Sequence, residues 1–594
     1  MKDYPSLHAM LEETVAQKKE QAAYRWFVEG GGTESVTWAQ FLEQVHQASK
    51  SLMALGVKHG DNVNILSYSC YRWVLTDFAI SSIGSCTVGI YQSNLPKDCK
   101  YIINHSDAVL AFVENEEQLA KLMEIRAEIP AVRKVIMFSG QAPADDWVIS
   151  YEEFLALGKD VPDDELRRRI NAVTPQDPAC IVYTSGTTGV PKGAVLTHDA
   201  MCFTPQSARG CLEVEDGDET LLFLPLAHVF ARICVLAAML TGSAVTFARG
   251  IPTVAEDLRA SRPHWFPSVP RIYEKVYAKV ISGAEAKGGL ALKIFRWACR
   301  VGAQVSERKQ AKQPVGGWLG FKYKIASKLV FSKLHAALGG RLRWCISGAA
   351  PLTPEIARFF HSAGILILEG IGMTENCSFT NVNRVDNYRF GWVGLPGPGI
   401  EQKIGEDGEV LYRGRNLMKE YYKMPTETTE TISEDGWLHT GDLGEIDGEG
   451  FLKITGRKKD LIITAGGKNV APSPIEGLMG TSKYINQVCV VGDRRKFLSA
   501  LVTLDPETVP EYAKEQGIAF SSIAELQGNP QVVELINGEI AARNKQLASY
   551  EAIKKITIVD EFTIENGMLT PTMKVKRNIA MEHHKALIEA MYAG

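Results

Sequence analysis

Short apolar runs alternate with stretches of helical spacing along most of this chain. Val63–Leu66, Val109–Val113, Val132–Phe138, Ala179–Val182, Ala194–Leu196, Thr220–Leu224, Arg343–Ser347 and Ile365–Leu368 read as buried strands. Between them, Trp38–Leu55 repeats its apolar residues at helical spacing until Gly56 and Gly60 stop it, and Thr76–Ile83 reads as a buried helix ended by Gly84. Strand and helix in alternation predict an α/β architecture. Past residue 460 the pattern changes. Leu461–Thr464, Val488–Val491 and the poorly alternating Phe497–Leu504 open a stretch reading as a small α+β unit. At 594 residues the chain exceeds what one hydrophobic core serves, so at least two domains are expected. We place them at 1–457 and 458–594, with the charged, glycine-preceded run Gly456–Asp460 as a hinge.

The densest chemistry lies in Tyr183–Gly193, YTSGTTGVPKG. Hydroxyls on Thr184, Ser185, Thr187 and Thr188 interleave with Gly186 and Gly189, and Lys192 follows Pro191. Glycines let backbone N–H groups turn inward as an anion nest, and the hydroxyls and lysine suit polyphosphate. Lys192 is followed by glycine, not Ser or Thr, so this is not a Walker A loop. The flanking apolar runs place it between strands.

Composition narrows the classes. A formal net charge of −4, with no polybasic tail, argues against nucleic acid as a partner. Eleven cysteines without a CxxC pair point to reduced thiols in a cytosol. The first residues carry early acids and no long apolar core, so no signal peptide is expected. The apolar stretch Ile233–Phe247 is broken by Thr241-Gly242-Ser243, short of the ~20 residues that cross a bilayer. The one strong local asymmetry is residues 287–335, with eleven Lys or Arg against Glu307 alone. Lys293, Arg296 and Arg300 share a helical face beside Leu292, Phe295 and Trp297, and a second helix over Tyr323–Leu338 carries Lys324 and Lys328. Two readings stay open for it: an anionic lipid surface, or a solvated face balanced by neighbours in space.

Five further clusters follow in order. His228 comes directly after a strand and a Pro-Leu turn, at a sheet's carboxyl edge, where a structural histidine is the other reading. Gly348-Ala349-Ala350-Pro351-Leu352 precedes a helix expected to start with Thr353 as N-cap. The strand Ile365–Leu368 runs into Glu369-Gly370-Ile371-Gly372-Met373-Thr374-Glu375, where a flat base can slide against backbone and Glu375 is a hard oxygen ligand suited to Mg2+. Asp442, in a glycine-flanked turn, can accept from ribose hydroxyls, and Lys574 sits in a Thr/Pro loop near the end.

Together, in this order, the clusters resemble the adenylate-forming superfamily of acyl-CoA synthetases, peptide-synthetase adenylation domains and luciferases. LPLAHVFAR (Leu224–Arg232), SVPRIYEKV (Ser268–Val276), SGAAPL (Ser347–Leu352), TAGGKNVAP (Thr464–Pro472) and LTPTMKVKR (Leu569–Arg577) are most similar to its long-chain fatty-acid–CoA ligase branch. The resemblance implies a large N-terminal domain of stacked sheets and helices with a small mobile C-terminal lid. It also implies ATP, Mg2+ and CoA. A fatty carboxylate attacks the α-phosphate of ATP to give acyl-adenylate and pyrophosphate, and the CoA thiol then displaces AMP. Thr184, Ser185, Gly186, Thr187, Thr188, Gly189 and Lys192 would grip the phosphates, with Thr184 and Glu375 on the metal. Gly348, Ala349, Ala350, Glu369, Gly370, Ile371, Gly372 and Thr374 would surround adenine. Asp442 would hold ribose, Arg457 would contact ribose or phosphate, Ile454 would also touch the nucleotide, and Lys574 would bridge the α-phosphate and the substrate carboxylate. The C-terminal domain would turn about Lys459 between steps, exchanging Lys574 for the Gly466-Gly467 loop, with His228 near the acyl carboxylate.

Two positions depart from the pattern. Ile371 stands where many relatives stack an aromatic on adenine, and Arg232 where some long-chain relatives have a tryptophan gate. The alternatives within the fold are an acyl-AMP ligase loading a carrier protein, or activation of medium-chain or aryl acids. The expected setting is the cytoplasm, with segment 287–335 able to reach the inner face of the membrane, as a monomer or homodimer.

Overall fold

The computed structural model describes residues 1–184, 190–570 and 573–593. Two large sheets dominate. An eight-stranded sheet runs Glu420–Tyr421, Lys192–Thr197, Pro178–Thr184, Cys86–Ile90, Asn62–Leu66, Ala108–Val113, Lys134–Met137 and Val148–Ser150. Its six strands from Pro178–Thr184 outward are parallel, and the first three pair antiparallel. A nine-stranded sheet has Glu219–Leu222, Trp265–Ser268, Trp344–Ser347 and Leu366–Ile371 as parallel neighbours at its centre. Helices Tyr71–Ser82 and Val229–Thr241 are buried almost throughout, as their near-continuous apolar character predicts. Gly89 lets the strand Cys86–Ile90 press against the turn before His228, because a Cβ there would lie 2.8 Å from the Ala227 Cα.

Four antiparallel strands, Ile400–Ile404, Glu409–Gly414, Leu438–Ile446 and Leu452–Arg457, follow. Beyond them, residues from 462 on form their own apolar clusters around strands Ile485–Val491, Leu498–Leu504 and Ile553–Val559. Leu498–Leu504 is buried at every position, which is why it lacks alternation. All eleven cysteines are free thiols. Among the described residues no helix is long and apolar enough to cross a membrane.

Local expectations differ from the structure at four points. Asp442 lies within the strand Leu438–Ile446, not in a turn; a register shift beside it and Gly441 at φ 72° bend the strand. Thr353 occupies the N-cap of Pro354–Ser362, but its hydroxyl donates to the Gly477 carbonyl at 3.5 Å instead of accepting from the first turn. The second basic helix begins earlier, at Gly317, and passes through a wider π turn at Ser327–Phe331. Arg232 is buried and finds its partners inside the protein: its guanidinium donates to Asp77 at 2.6 Å and lies over the Trp73 ring. Burial pushes the Asp77 carboxyl up, against the pull of Arg232.

Candidate active site

The hairpin of Pro178–Thr184 and Lys192–Thr197 confirms that the hydroxyl-rich loop joins two strands, with Thr184 opposite Lys192 in the register. Ser185, Gly186, Thr187, Thr188 and Gly189 lie outside the described residues. Thr184 Oγ1 donates to the Lys192 carbonyl at 3.4 Å. Antiparallel to Lys192–Thr197 runs Glu420–Tyr421, with Tyr421 opposite Ala194. Two residues along a strand return to the same face, so Tyr421 comes beside Lys192, whose ammonium sits 4.8 Å from the ring centre. The Tyr421 hydroxyl donates to Glu375 Oε1 at 2.5 Å. Glu375 is buried in a short 3-10 turn after the strand Leu366–Ile371, and its carbonyl accepts from the Met418 N–H at 2.7 Å. One tyrosine thus links the lysine and the carboxylate assigned to phosphate and metal. Nothing in the sequence motifs marked it, because its register against Lys192–Thr197 is a tertiary fact.

Asp442 and Arg457 are direct neighbours across two strands, and Arg457 Nε donates to Asp442 Oδ1 at 2.8 Å. Burial works against the Arg457 charge, but Asp442 outweighs it and holds its pKa above the ordinary guanidinium range. Ile454 is on the same strand as Arg457. Lys458 is anchored by Glu409 at 2.9 Å, and Lys459 next to it is exposed.

Lys574 faces this group. Its loop is tied down at both sides, with Lys574 N donating to Thr570 Oγ1 at 3.0 Å and Thr570 N donating to the Lys574 carbonyl at 2.8 Å. Arg577 then clamps the tail through two bonds to Glu476, at 2.7 and 2.8 Å. Lys574 is exposed to solvent, yet the protein crowding it depresses its pKa, as does Arg457, against the pull of Asp442 and Glu375. The same lysine is felt by His228, whose pKa burial lowers to about 4, with Lys574 adding to the effect. His228 is the N-cap of Val229–Thr241, where Nδ1 accepts from the Phe230 N–H at 3.1 Å. The neutral ring therefore carries its proton on Nε2. Lys574, Arg457, Asp442, Glu375 and His228 are one electrostatic constellation, drawn from positions 228 to 574 of the chain. Gly466 and Gly467 take no part in it; they lie at the exposed tip of the hairpin Ile462–Ile463 and Asn469–Val470.

Beside it a narrow cavity of about 50 Å³ enters the protein. Its polar end is Gly348, Ala349, Gly370, Ile371 and Gly372. Ala349 has φ 68°, and a Cβ on Gly372 would strike the Ser378 carbonyl carbon at 2.1 Å, so both loops need their small residues. The apolar wall is Phe230, Ile233, Cys234 and Ala237, one face of the helix that His228 caps. Trp265 and Trp344, stacked at 5.4 Å, also line it. Ser347 lines it too, with a buried hydroxyl that has no partner among the described residues. Glu369 does not: its carboxyl accepts from the Leu352 N–H at 3.0 Å and so holds the Gly348–Leu352 loop. Burial raises its pKa to about 7. Ala350 is exposed within that loop, and Thr374 starts the turn that carries Glu375.

This arrangement has counterparts. Residues 11–422 match the model of the AMP-binding enzymes, and residues 459–594 that of the AMP-binding enzyme C-terminal domain. The chain belongs to the AMP-binding enzyme family. Long-chain-fatty-acid–CoA ligase FadD15 of Mycobacterium bovis is 36% identical over 99% of this chain and 97% of its own length. Human long-chain-fatty-acid–CoA ligase ACSBG2 is 33% identical over 94% of this chain and 88% of its own. Among solved structures, the adenylation domain of a carboxylate reductase from Mycobacterium chelonae superposes with a TM-score of 0.79 at 20% identity, covering 100% of this chain and 92% of that one. As in other AMP-binding enzymes, the chemistry here depends on ATP.

Proposed function

We propose that this AMP-binding enzyme is a long-chain fatty-acid–CoA ligase. The observation that carries the reading is the apolar cavity opening between the nucleotide loops and the Lys574–His228 constellation, in a chain whose full-length relatives are named for that activity. A fatty carboxylate at the cavity mouth attacks the α-phosphorus of ATP; the P–O bond to pyrophosphate breaks as the acyl–phosphate bond forms. The carboxylate is already a nucleophile, so the residues chiefly offset charge and align the groups. Lys574 supplies a compact positive charge between carboxylate and phosphate. Asp442 accepts from ribose, Arg457 stays paired to it, and the backbone of Gly348–Ala350 and Gly370–Gly372 flanks adenine. The thiol of CoA then attacks the acyl carbonyl and AMP leaves, after the unit 458–594 has turned about Lys459 and brought Gly466-Gly467 in. Neutral His228 offers its Nε2–H near the acyl carbonyl.

Glu375 suits Mg2+: it is a buried carboxylate that accepts one side-chain hydrogen bond among the described residues, from Tyr421, and so keeps an oxygen for a hard cation. With Thr184 it would hold the ion, which offsets phosphate charge when bound. At about 50 Å³ the cavity is far below the ~300–1,000 Å³ of usual small-molecule sites, so its walls part when an acyl chain enters.

We also infer that segment 287–335 meets an anionic membrane surface. Trp318, Phe321, Ile325 and Leu329 recur at helical spacing and are 69%, 52%, 37% and 49% exposed. Lys293, Arg296, Arg300, Lys324 and Lys328 are exposed around them. The nearby ion pairs, Arg271 with Glu274 and Lys483 with Glu285, use acids that precede the segment. An apolar stripe beside cations that form no ion pair among the described residues fits an interfacial helix better than a solvated face.

The test is ATP-dependent AMP release with fatty acids from short to very long, with and without CoA. Long-chain acids should be preferred and acyl-CoA should form. Adenylate that accumulates regardless of CoA would favour a carrier-protein acceptor. Lys574→Ala should abolish adenylate formation while sparing thioester formation from supplied acyl-adenylate; equal loss of both would refute its role.

A further inference from the structure

Apart from the Lys574–His228 constellation, the first two helices bring three metal-ligating side chains together. His8 and Glu12 lie one turn apart on Leu7–Lys18, and His46 meets them from Trp38–Ala54. His8 Nε2 is 3.4 Å from His46 Nε2 and 3.5 Å from Glu12 Oε1. The other nitrogen of His8 fixes its tautomer. Ser82 commits its hydroxyl proton to the Phe78 carbonyl at 2.6 Å, so at 2.8 Å its oxygen accepts from His8 Nδ1–H. The fully buried His8 therefore holds a lone pair on Nε2, toward His46 and Glu12.

We propose that His8, Glu12 and His46 form a binding site for one divalent transition-metal ion of the zinc class. Tetrahedral zinc with bonds of about 2.0–2.1 Å sets its ligand atoms about 3.3 Å apart; the two separations from His8 Nε2 are close to that spacing, and all three ligand atoms lie within 4.8 Å of one another. Two imidazoles with one carboxylate suit zinc better than the all-oxygen sets of magnesium or calcium. The His8–Ser82 bond is the outer support that histidine ligands use to hold their orientation. Solvent reaches the cluster through Glu12, whose side chain is 37% exposed. Arg167, which pairs with Glu12 Oε1 at 2.6 Å, is 48% exposed and can pass to the second carboxylate oxygen when the ion takes the first.

The ion would act as a brace. Thr14, on the same helix as His8, donates to the Met239 carbonyl at 3.2 Å, and Leu7 N donates to His198 Nδ1 at 3.2 Å. Fixing the first helix to the second thereby steadies the floor beneath Val229–Thr241, which walls the acyl cavity.

The full-length protein, stripped with a chelator, is titrated with Zn2+ and separately with Co2+. One equivalent should bind, Co2+ should show the visible absorption of a tetrahedral site, and Zn2+ should raise the unfolding temperature. His46→Gln and Glu12→Gln, both at partly exposed positions, should each weaken binding at least ~10-fold and remove the Co2+ bands. His8→Gln is a third arm; where it fails to fold, the other two decide. No binding by the wild type, or unchanged binding in His46→Gln, as from an ion held at His583 and His584, would overturn the proposal.

Discussion

Removing only the Tyr421 hydroxyl tests the reading of Glu375 most directly. Tyr421→Phe keeps the ring, and with it the contact to Lys192 at 4.8 Å, but deletes the donor 2.5 Å from Glu375 Oε1. A hydrogen bond to a charged acceptor contributes about 1.5–3 kcal/mol, which at 1.4 kcal/mol per decade is roughly 10–150-fold. If Glu375 holds Mg2+, that loss falls on metal affinity, in line with the ~10–100-fold typical of residues that orient a ligand. The Mg2+ concentration giving half-maximal AMP formation should therefore rise by ~10–100-fold, while the rate at saturating Mg2+ falls much less. The assay is AMP release at fixed ATP and fatty acid across a MgCl2 series, with Tyr421→Ala alongside to remove the Lys192 contact as well. An unchanged Mg2+ curve would refute the link through Glu375. An equal fall at every Mg2+ concentration would move Tyr421 to positioning Lys192 instead.

Three further outcomes follow from the geometry. Ala237 lies seven residues from Phe230 on the cavity wall, ~10 Å deeper; Ala237→Phe should exclude the end of a long chain. At ~0.8 kcal/mol per methylene, about four excluded methylenes lower kcat/KM for long acids by ~200-fold with short acids little changed, measured with the fatty-acid panel. Asp77→Ala leaves Arg232 buried and unpaired, at a cost of ~3–5 kcal/mol. Spread over the unit 1–457 at ~2.1 cal/mol/K per residue, that lowers its unfolding temperature by ~3–5 °C by calorimetry. The double variant Asp77→Leu, Arg232→Met should recover most of the loss; additive losses would show the pair uncoupled. Binding to anionic vesicles should weaken in high salt, after Trp318→Ser with Phe321→Ser, and after neutralising Lys293, Arg296 and Arg300; cosedimentation that ignores all three would return the segment to a solvated face.

By itself the sequence determined the α/β alternation, the hairpin around the phosphate loop, the positions of His228, Glu375, Asp442, Arg457 and Lys574, and the family. These are local facts: a strand's burial, a loop's need for small residues and a motif's chemistry are written within a few consecutive residues. Tertiary structure alone decided which of those residues meet. Tyr421 joins Glu375 to Lys192 because a two-residue strand adds to the edge of the eight-stranded sheet in one register. Glu369 accepts from the Leu352 N–H, a bond across 17 positions that ties the small-residue loop to the strand beside it. Arg232, read from the sequence only as a missing gate, found a carboxylate 155 positions away. Polar groups removed from water must find partners wherever the fold supplies them, and nothing local in the chain says where that is.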